Sequence, residues 1–351
     1  MSDRQFDIGS GIFWFFKRFG ENPAGVLWIA LWQILVGGAI VGLILAFLLP
    51  SYQEFITTIV ELENGSVSDE EAAMGILMAI FTLLASASWG AILGILASLS
   101  FQGAWMRFLT RRPMAAVIPL RLGGDEFRLL GVNLLYIAVG IAMYIGVVMA
   151  LVTFGVAGGG MIAASGENSM AGGLGFGLVM FLGVLGVLIS VLFIAIKLSV
   201  APALTVHDRK FRFFESWEAT DGVFFPTLLS YVIVLILSLI FGSILGFVLE
   251  LGFLGAMMPV IEEFTHLAQG AEPTIEEVFA TLQSTLSEPS VYIPMVIGGV
   301  LMYLLQIVLE GFWHGVGAYN AVRHRAGGEA PEEDAPVLGA DHPAGASPSE
   351  G

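Results

Sequence analysis

Six long apolar segments separated by polar connections form the main pattern of this chain. We place them at 25–49, 75–107, 129–154, 173–204, 227–254 and 291–320. About 20 apolar residues allow a helix to cross the ~30 Å hydrocarbon core of a bilayer, so each segment is long enough to span it. The pattern predicts an all-α, polytopic membrane protein with six transmembrane helices.

The basic residues follow the alternation of these connections. All 14 Lys and Arg residues lie in or beside the N-terminal segment, the connections 105–128 and 205–226, or the C-terminal end of the last span. The connections 50–74, 155–172 and 255–290 contain neither Lys nor Arg and are acidic. Basic residues beside spans are retained in the cytoplasm. We therefore expect a multi-pass protein of the cell inner (plasma) membrane with both termini cytoplasmic.

The composition agrees with a membrane protein. The 351 residues are 56% hydrophobic and 13% charged, whereas soluble domains have about 25% charged residues. The net charge of −16 lies largely in the acidic connections and the tail, and that distribution argues against nucleic acid as a partner. The chain has no Cys, which excludes disulfides, thiolate metal sites and Cys nucleophiles. We expect no metal ion and no cofactor.

Three consecutive units are predicted, each an elbow helix on the basic side followed by a helical hairpin. Turn residues Asn22, Gly124 and Gly222 precede the odd-numbered spans at intervals of about 100 residues, which is typical of a repeat. The first elbow is an interfacial amphipathic segment at residues 1–24. The membrane domain then covers residues 25–325. The tail 326–351 is acidic and lacks apolar periodicity, so we expect it to be disordered.

The third elbow, residues 211–225, mixes aromatic and charged side chains. Phe211, Phe214 and Trp217 recur every three residues and would give a short helix one apolar stripe. Such a helix lies in the plane of the membrane interface. On this basis we expect Trp217 to contribute more than Phe213 to seating of the elbow.

Residues 196–235 contain a motif with Pro202, then Ser216-Trp217, then Thr220 and Gly222. In this the chain resembles bacterial six-helix integral membrane families, including the membrane domain fused to some glycerophosphodiester phosphodiesterases. The catalytic domain has no counterpart here. The resemblance implies architecture and lipid association, and it carries no catalytic residues. From the residue types alone, Ser216 can bond local backbone groups, Trp217 can anchor the elbow, and Gly222 permits a sharp turn.

Glu310 and His314 lie one helical turn apart near the end of the last span. Ionisable residues inside a membrane are functional candidates, and this pair could relay a proton or help to bind a metal. A structural ion pair near the interface explains them as well, and we favour it.

These observations favour a non-enzymatic integral membrane protein that acts as a scaffold, accessory or lipid-interacting subunit. A transporter or permease component lacking its own ATPase is the alternative, and an intramembrane enzyme is the third. Membrane lipids are the expected partners. Small-residue pairs such as Gly38/Gly42 and Gly311/Gly315 also leave open a protein subunit partner or a second copy of the chain.

Overall fold

The computed structural model describes residues 6–63, 68–111, 118–165, 170–268 and 275–327. This part of the chain forms eleven α-helices and no strand. They are α1 (Ile8–Ile12), α2 (Trp14–Glu21), α3 (Pro23–Glu63), α4 (Asp69–Arg111), α5 (Gly124–Ser165), α6 (Met170–Leu198), α7 (Ala201–Asp208), α8 (Glu215–Ala219), α9 (Phe224–Ala268), α10 (Ile275–Leu286) and α11 (Pro289–Arg325).

Helices α3, α4, α5, α6, α9 and α11 are long and apolar enough to cross a membrane, so the six-span prediction is confirmed. Five of these six helices run past both ends of their predicted segments. The 41 residues of α3 extend about 60 Å at 1.5 Å per residue, roughly twice the hydrocarbon thickness. One predicted span is interrupted: we expected a continuous helix over 173–204, but α6 ends at Leu198 and α7 begins at Ala201.

The long helices form three hairpins, α3–α4, α5–α6 and α9–α11, and each begins at one of the expected turns. Asn22 precedes α3 and accepts the Gly25 N–H at 2.9 Å, Gly124 starts α5, and Gly222 precedes α9. Helices α1 and α2 form the first elbow and α8 forms the third. The second elbow differs from our expectation, because residues 118–123 contain no helix.

Most of the tertiary packing lies at one end of the bundle, where α3, α5 and α9 begin and α4 and α11 end. We call this the basic end, and the opposite end the acidic end. Trp105, Leu204 and Tyr319, from three different long segments, are buried together there. Towards the acidic end the helices are largely exposed, as expected for surfaces that face lipid.

The N-terminal helices pack against α4 and against the last helix, α11, at this end. The Trp14 indole N–H donates to the Leu109 carbonyl at 3.0 Å. The Phe15 ring occupies the space beside Gly311, where a Cβ would lie 2.6 Å from two ring carbons. The Asp7 N–H donates to the Tyr319 hydroxyl at 3.3 Å. The small residue at 311 therefore serves packing within this chain.

The predicted small-residue pair Gly38/Gly42 lacks such a neighbour. A Cβ added at Gly38 or Gly42 would meet no described atom within 4 Å. These glycines consequently lie against open space on α3, and their role stays a prediction.

Buried ion pairs join the hairpins at the basic end. Arg107 pairs with Glu126, which is 1% exposed, and its second guanidinium nitrogen donates to the Pro119 carbonyl at 3.0 Å. Asp125 accepts from Arg111 at 2.9 Å and from Arg128 at 3.1 Å. Glu126 Oε2 also accepts a backbone N–H, from the loop that precedes α5. These bonds fix the start of α5 against the end of α4.

A capping box is present at the start of α4. The Ser68 hydroxyl donates to Glu71 at 2.9 Å and the Glu71 N–H donates back to Ser68 Oγ at 3.3 Å. The hydroxyl holds the pKa of Glu71 below its usual value. Nearly all of the predicted disordered tail, residues 328–351, lies outside the described residues.

Candidate functional site

The fourth membrane segment is broken at Ser199 and Val200, between α6 and α7. Pro202 lies in the first turn of α7. Proline has no backbone N–H, and its ring crowds the carbonyl four residues earlier, which disfavours a continuous helix at this point. The break leaves polar backbone groups inside the bundle, and such groups need partners.

Side chains from two other elements bond these groups. The Ser216 hydroxyl donates to the Lys197 carbonyl at 2.8 Å and accepts the Val200 N–H at 3.2 Å. The Tyr136 hydroxyl donates to the Leu198 carbonyl at 2.6 Å. Ser216 and Val200 are both fully buried. The serine of the elbow motif therefore satisfies the backbone of a neighbouring helix break, and sequence reasoning did not foresee that partner.

The rest of the motif shapes the turn from α8 into α9. The Thr220 hydroxyl donates to the Trp217 carbonyl at 2.9 Å. Gly222 has a φ of +75°, a left-handed conformation that only glycine adopts without strain. Lys197 pairs with Asp221, and its Nζ lies 5.3 Å from the centroid of the Trp217 ring. The turn is thus attached to the end of α6 by charge as well as by Ser216.

The predicted aromatic stripe of this elbow differs in the structure. Helix α8 covers only Glu215–Ala219, so Phe211 lies before it and Phe214 is its N-cap residue. Phe213 is instead the inward residue, 2% exposed and packed with Leu198. Tertiary packing, and not the three-residue period, determines which ring is buried.

The charges of this elbow are paired outside the membrane segments. Arg212 donates to Glu215 at 2.8 Å, and this bond lowers the pKa of Glu215 below its usual value. Arg212 Nε also lies 3.3 Å from Asp208, which in turn pairs with Arg325 at the end of α11. The elbow is therefore linked to both α7 and α11.

We expect Ser216→Ala to lower the free energy of unfolding by about 1–3 kcal/mol, because a buried carbonyl and a buried N–H lose their partner. Chemical unfolding in detergent micelles measures this change. Ser238→Ala is the matched control: the Ser238 hydroxyl is buried and has no hydrogen-bond partner among the described residues, so its removal should be nearly neutral. Equal effects of the two substitutions would contradict the role given to Ser216.

A cavity of about 420 Å³ lies beside the helix break. Helices α4, α5, α6, α7, α9 and α11 all contribute to its wall. The lining residues are Gln102, Met106, Tyr136, Leu192, Ala195, Ile196, Ser199, Pro202, Leu228, Tyr231, Val232, Leu235, Trp313, His314 and Gly317.

Some polar side chains of the lining already make hydrogen bonds to other described residues, and others do not. Gln102 Oε1 accepts from Asn133 at 3.0 Å, and the Ser199 hydroxyl donates to the Ile196 carbonyl at 2.8 Å. The Tyr231 ring stacks on Trp313 with centroids 5.7 Å apart. His314 has no hydrogen bond to any described residue. The cavity therefore combines an apolar wall with a small polar region.

Glu310 and His314 do not form the expected pair. Glu310 accepts from Gln306 Nε2 at 3.0 Å, one turn towards the start of α11. His314 lines the cavity, where it lies near residues of α4 and α9. Sequence spacing placed both residues on one helix, and it could not show that His314 faces other helices.

Within the described residues, no three His, Asp or Glu side chains are placed to hold a metal ion. In comparisons with known proteins, no family model, curated protein or solved structure matches this chain. The fold and the cavity define a polytopic α-helical membrane protein with a pocket at the basic end of its bundle.

Proposed function

We propose that this chain is a non-enzymatic, lipid-interacting membrane protein whose cavity receives a lipid from the side. The observation that carries this proposal is the exposure of the cavity rim. Leu192 is 46% exposed and Leu235 is 44% exposed, and both belong to membrane-spanning helices. The cavity thus opens between α6 and α9 towards the space that lipid occupies.

The physical reason is the composition of the wall. A bilayer interior offers hydrocarbon and no water, so an apolar opening at that depth is filled by acyl chains. The volume of 420 Å³ lies within the range of about 300–1,000 Å³ typical of small-molecule sites. The resemblance of residues 196–235 to the membrane domain fused to some glycerophosphodiester phosphodiesterases implies lipid association and favours the same proposal.

Lipid entry can be tested by cross-linking in reconstituted vesicles. We expect a lipid with a photoreactive acyl chain to label the helices that line the cavity. Leu235→Trp fills the opening and should reduce this labelling several-fold. Leu239→Trp, one turn along α9 and 59% exposed but outside the cavity, is the control and should leave it unchanged. Uniform labelling of all six helices, unaffected by Leu235→Trp, would reject the proposal.

We place the protein in the inner (plasma) membrane with its basic end in the cytoplasm, following the charge asymmetry. In intact cells, a membrane-impermeant maleimide should label Glu70→Cys and should reach Lys210→Cys only after lysis. Both positions are exposed, and the chain has no native Cys that would react. Labelling of Lys210→Cys alone before lysis would show that the basic end faces the outside, and it would contradict the proposed orientation.

A permease component is the second candidate, because an interrupted helix lies next to the cavity. In transporters, unwound backbone carbonyls coordinate the cargo ion. Here the carbonyls of Lys197 and Leu198 already accept from Ser216 and Tyr136, which favours a structural break. Water-soluble thiol reagents distinguish the two: a permease pathway would admit them to Gln102→Cys, and a lipid-filled cavity would not.

A further inference from the structure

We infer that the polar region of this cavity binds the head of an uncharged lipid that ends in a free hydroxyl group, and that His314 and Gln102 are the residues that recognise it. This inference rests on the proposed lipid entry and names the class of lipid. Three features of the cavity carry it: its charge, its available hydrogen-bonding groups and its orientation towards the bilayer.

The cavity wall carries no charged side chain. None of its lining residues is Asp, Glu, Lys or Arg. The nearest cation along α6 is Lys197, and its ammonium group pairs with Asp221 and lies against the Trp217 ring. An anionic phosphate in this cavity would lose its hydration without gaining a cation, which is strongly unfavourable. The occupant that fits is uncharged.

Among the lining side chains, His314 and Gln102 retain hydrogen-bonding groups that no described residue uses. His314 has no hydrogen bond within the described part of the chain, and an uncharged imidazole has one donor and one acceptor nitrogen. The Gln102 amide uses its oxygen to accept from Asn133 at 3.0 Å, which leaves its NH₂ group available as a donor. Ser199 and Tyr136, by contrast, already donate to backbone carbonyls.

A hydroxyl group matches this pair of side chains. It has one donor and two acceptor positions, so it is able to accept from an amide NH₂ and donate to an imidazole nitrogen. A carbonyl oxygen would use only the donors. Because the rim at Leu192 and Leu235 is exposed on membrane-spanning helices, a lipid can place its chain outwards and its hydroxyl inwards.

The test compares probes with the same photoreactive acyl chain in vesicles that contain the full chain. One probe is a diacylglycerol, which ends in a hydroxyl, and the other is the corresponding phosphatidic acid. We expect the diacylglycerol to label the lining peptides of α9 and α11 about fivefold or more above the phosphatidic acid, given the cost of burying an unpaired charge. A third probe, a photoreactive isoprenoid alcohol, shows whether the cavity prefers the hydroxyl of a diacylglycerol or that of an isoprenoid alcohol.

Two substitutions test the recognising residues. His314→Phe and Gln102→Leu should each reduce diacylglycerol labelling about fivefold, the effect of losing one hydrogen bond. Gln306→Leu, which removes an amide outside the cavity, is the control. The wild-type preference between probes gives an independent readout if a substitution prevents folding.

The outcomes separate the two proposals. Equal or stronger labelling by phosphatidic acid, or undiminished labelling in both cavity variants, overturns the hydroxyl inference while the lipid-binding proposal stands. Absence of cavity labelling by every probe overturns lipid entry itself. Preferential labelling by either hydroxyl-bearing probe, lost in the cavity variants and kept in Gln306→Leu, supports the inference.

Discussion

Replacing Phe213 with alanine should lower the free energy of unfolding by about 3–5 kcal/mol, the usual cost of removing a buried aromatic ring. The ring is 2% exposed and packs with Val132, Leu198 and Ala201. Its centroid also lies 5.4 Å from that of Tyr136 in an edge-to-face contact. The substitution therefore opens a void beside the break between α6 and α7, and chemical unfolding in detergent measures the loss.

The adjacent residue supplies the control for this experiment. Phe214 is 71% exposed, so Phe214→Ala should change stability by less than about 0.5 kcal/mol, as surface substitutions usually do. The two variants remove the same atoms at neighbouring positions, and only burial differs. If they unfold at the same denaturant concentration, the third elbow does not pack as described.

Replacing Arg107 with methionine should lower the free energy of unfolding by a similar amount, about 3–5 kcal/mol. Removing one partner of a buried ion pair leaves the other charge uncompensated. Glu126 would keep only the backbone N–H of Gly123, at 2.9 Å, in a position where its side chain is 2% exposed. The Pro119 carbonyl would also lose its donor. Thermal unfolding in micelles provides the measurement.

Arg121→Met is the matched control for this prediction, since Arg121 is exposed and its removal should be nearly neutral. The double variant Arg107→Met/Glu126→Leu removes both charges and should recover much of the loss, because a buried pair replaced by apolar groups is often neutral. A double variant less stable than Arg107→Met alone would show that Glu126 stabilises the fold without Arg107.

The number of spans followed from the sequence because it depends on local hydropathy alone. The turn at Gly222 was also predictable, since a glycine between a charged elbow and an apolar run indicates a change of direction. The helix break was not predicted, although Pro202 marked it. An apolar run of more than 30 residues suggested a continuous span, and the serine that stabilises the break lies in a different element.

The cavity could not be predicted because it depends on the relative placement of six helices. His314 illustrates the limit. Residues at positions i−4 and i+4 of Glu310 lie on the same helical face, and local spacing gives no reason to prefer Gln306 or His314 as its partner. The structure shows the bond to Gln306 and places His314 among residues of other helices.

The contact between the N-terminal elbow and α11 has a consequence for biosynthesis. The hydrogen bond from Asp7 to Tyr319 spans 312 positions, and Phe15 packs beside Gly311. Translation proceeds at about 5–20 residues per second. The last helix is therefore completed on the order of tens of seconds after the first ones. During that interval the side of Phe15 that faces Gly311 is uncovered. A nascent chain truncated before α11 would therefore expose it to insertion chaperones and quality-control proteases.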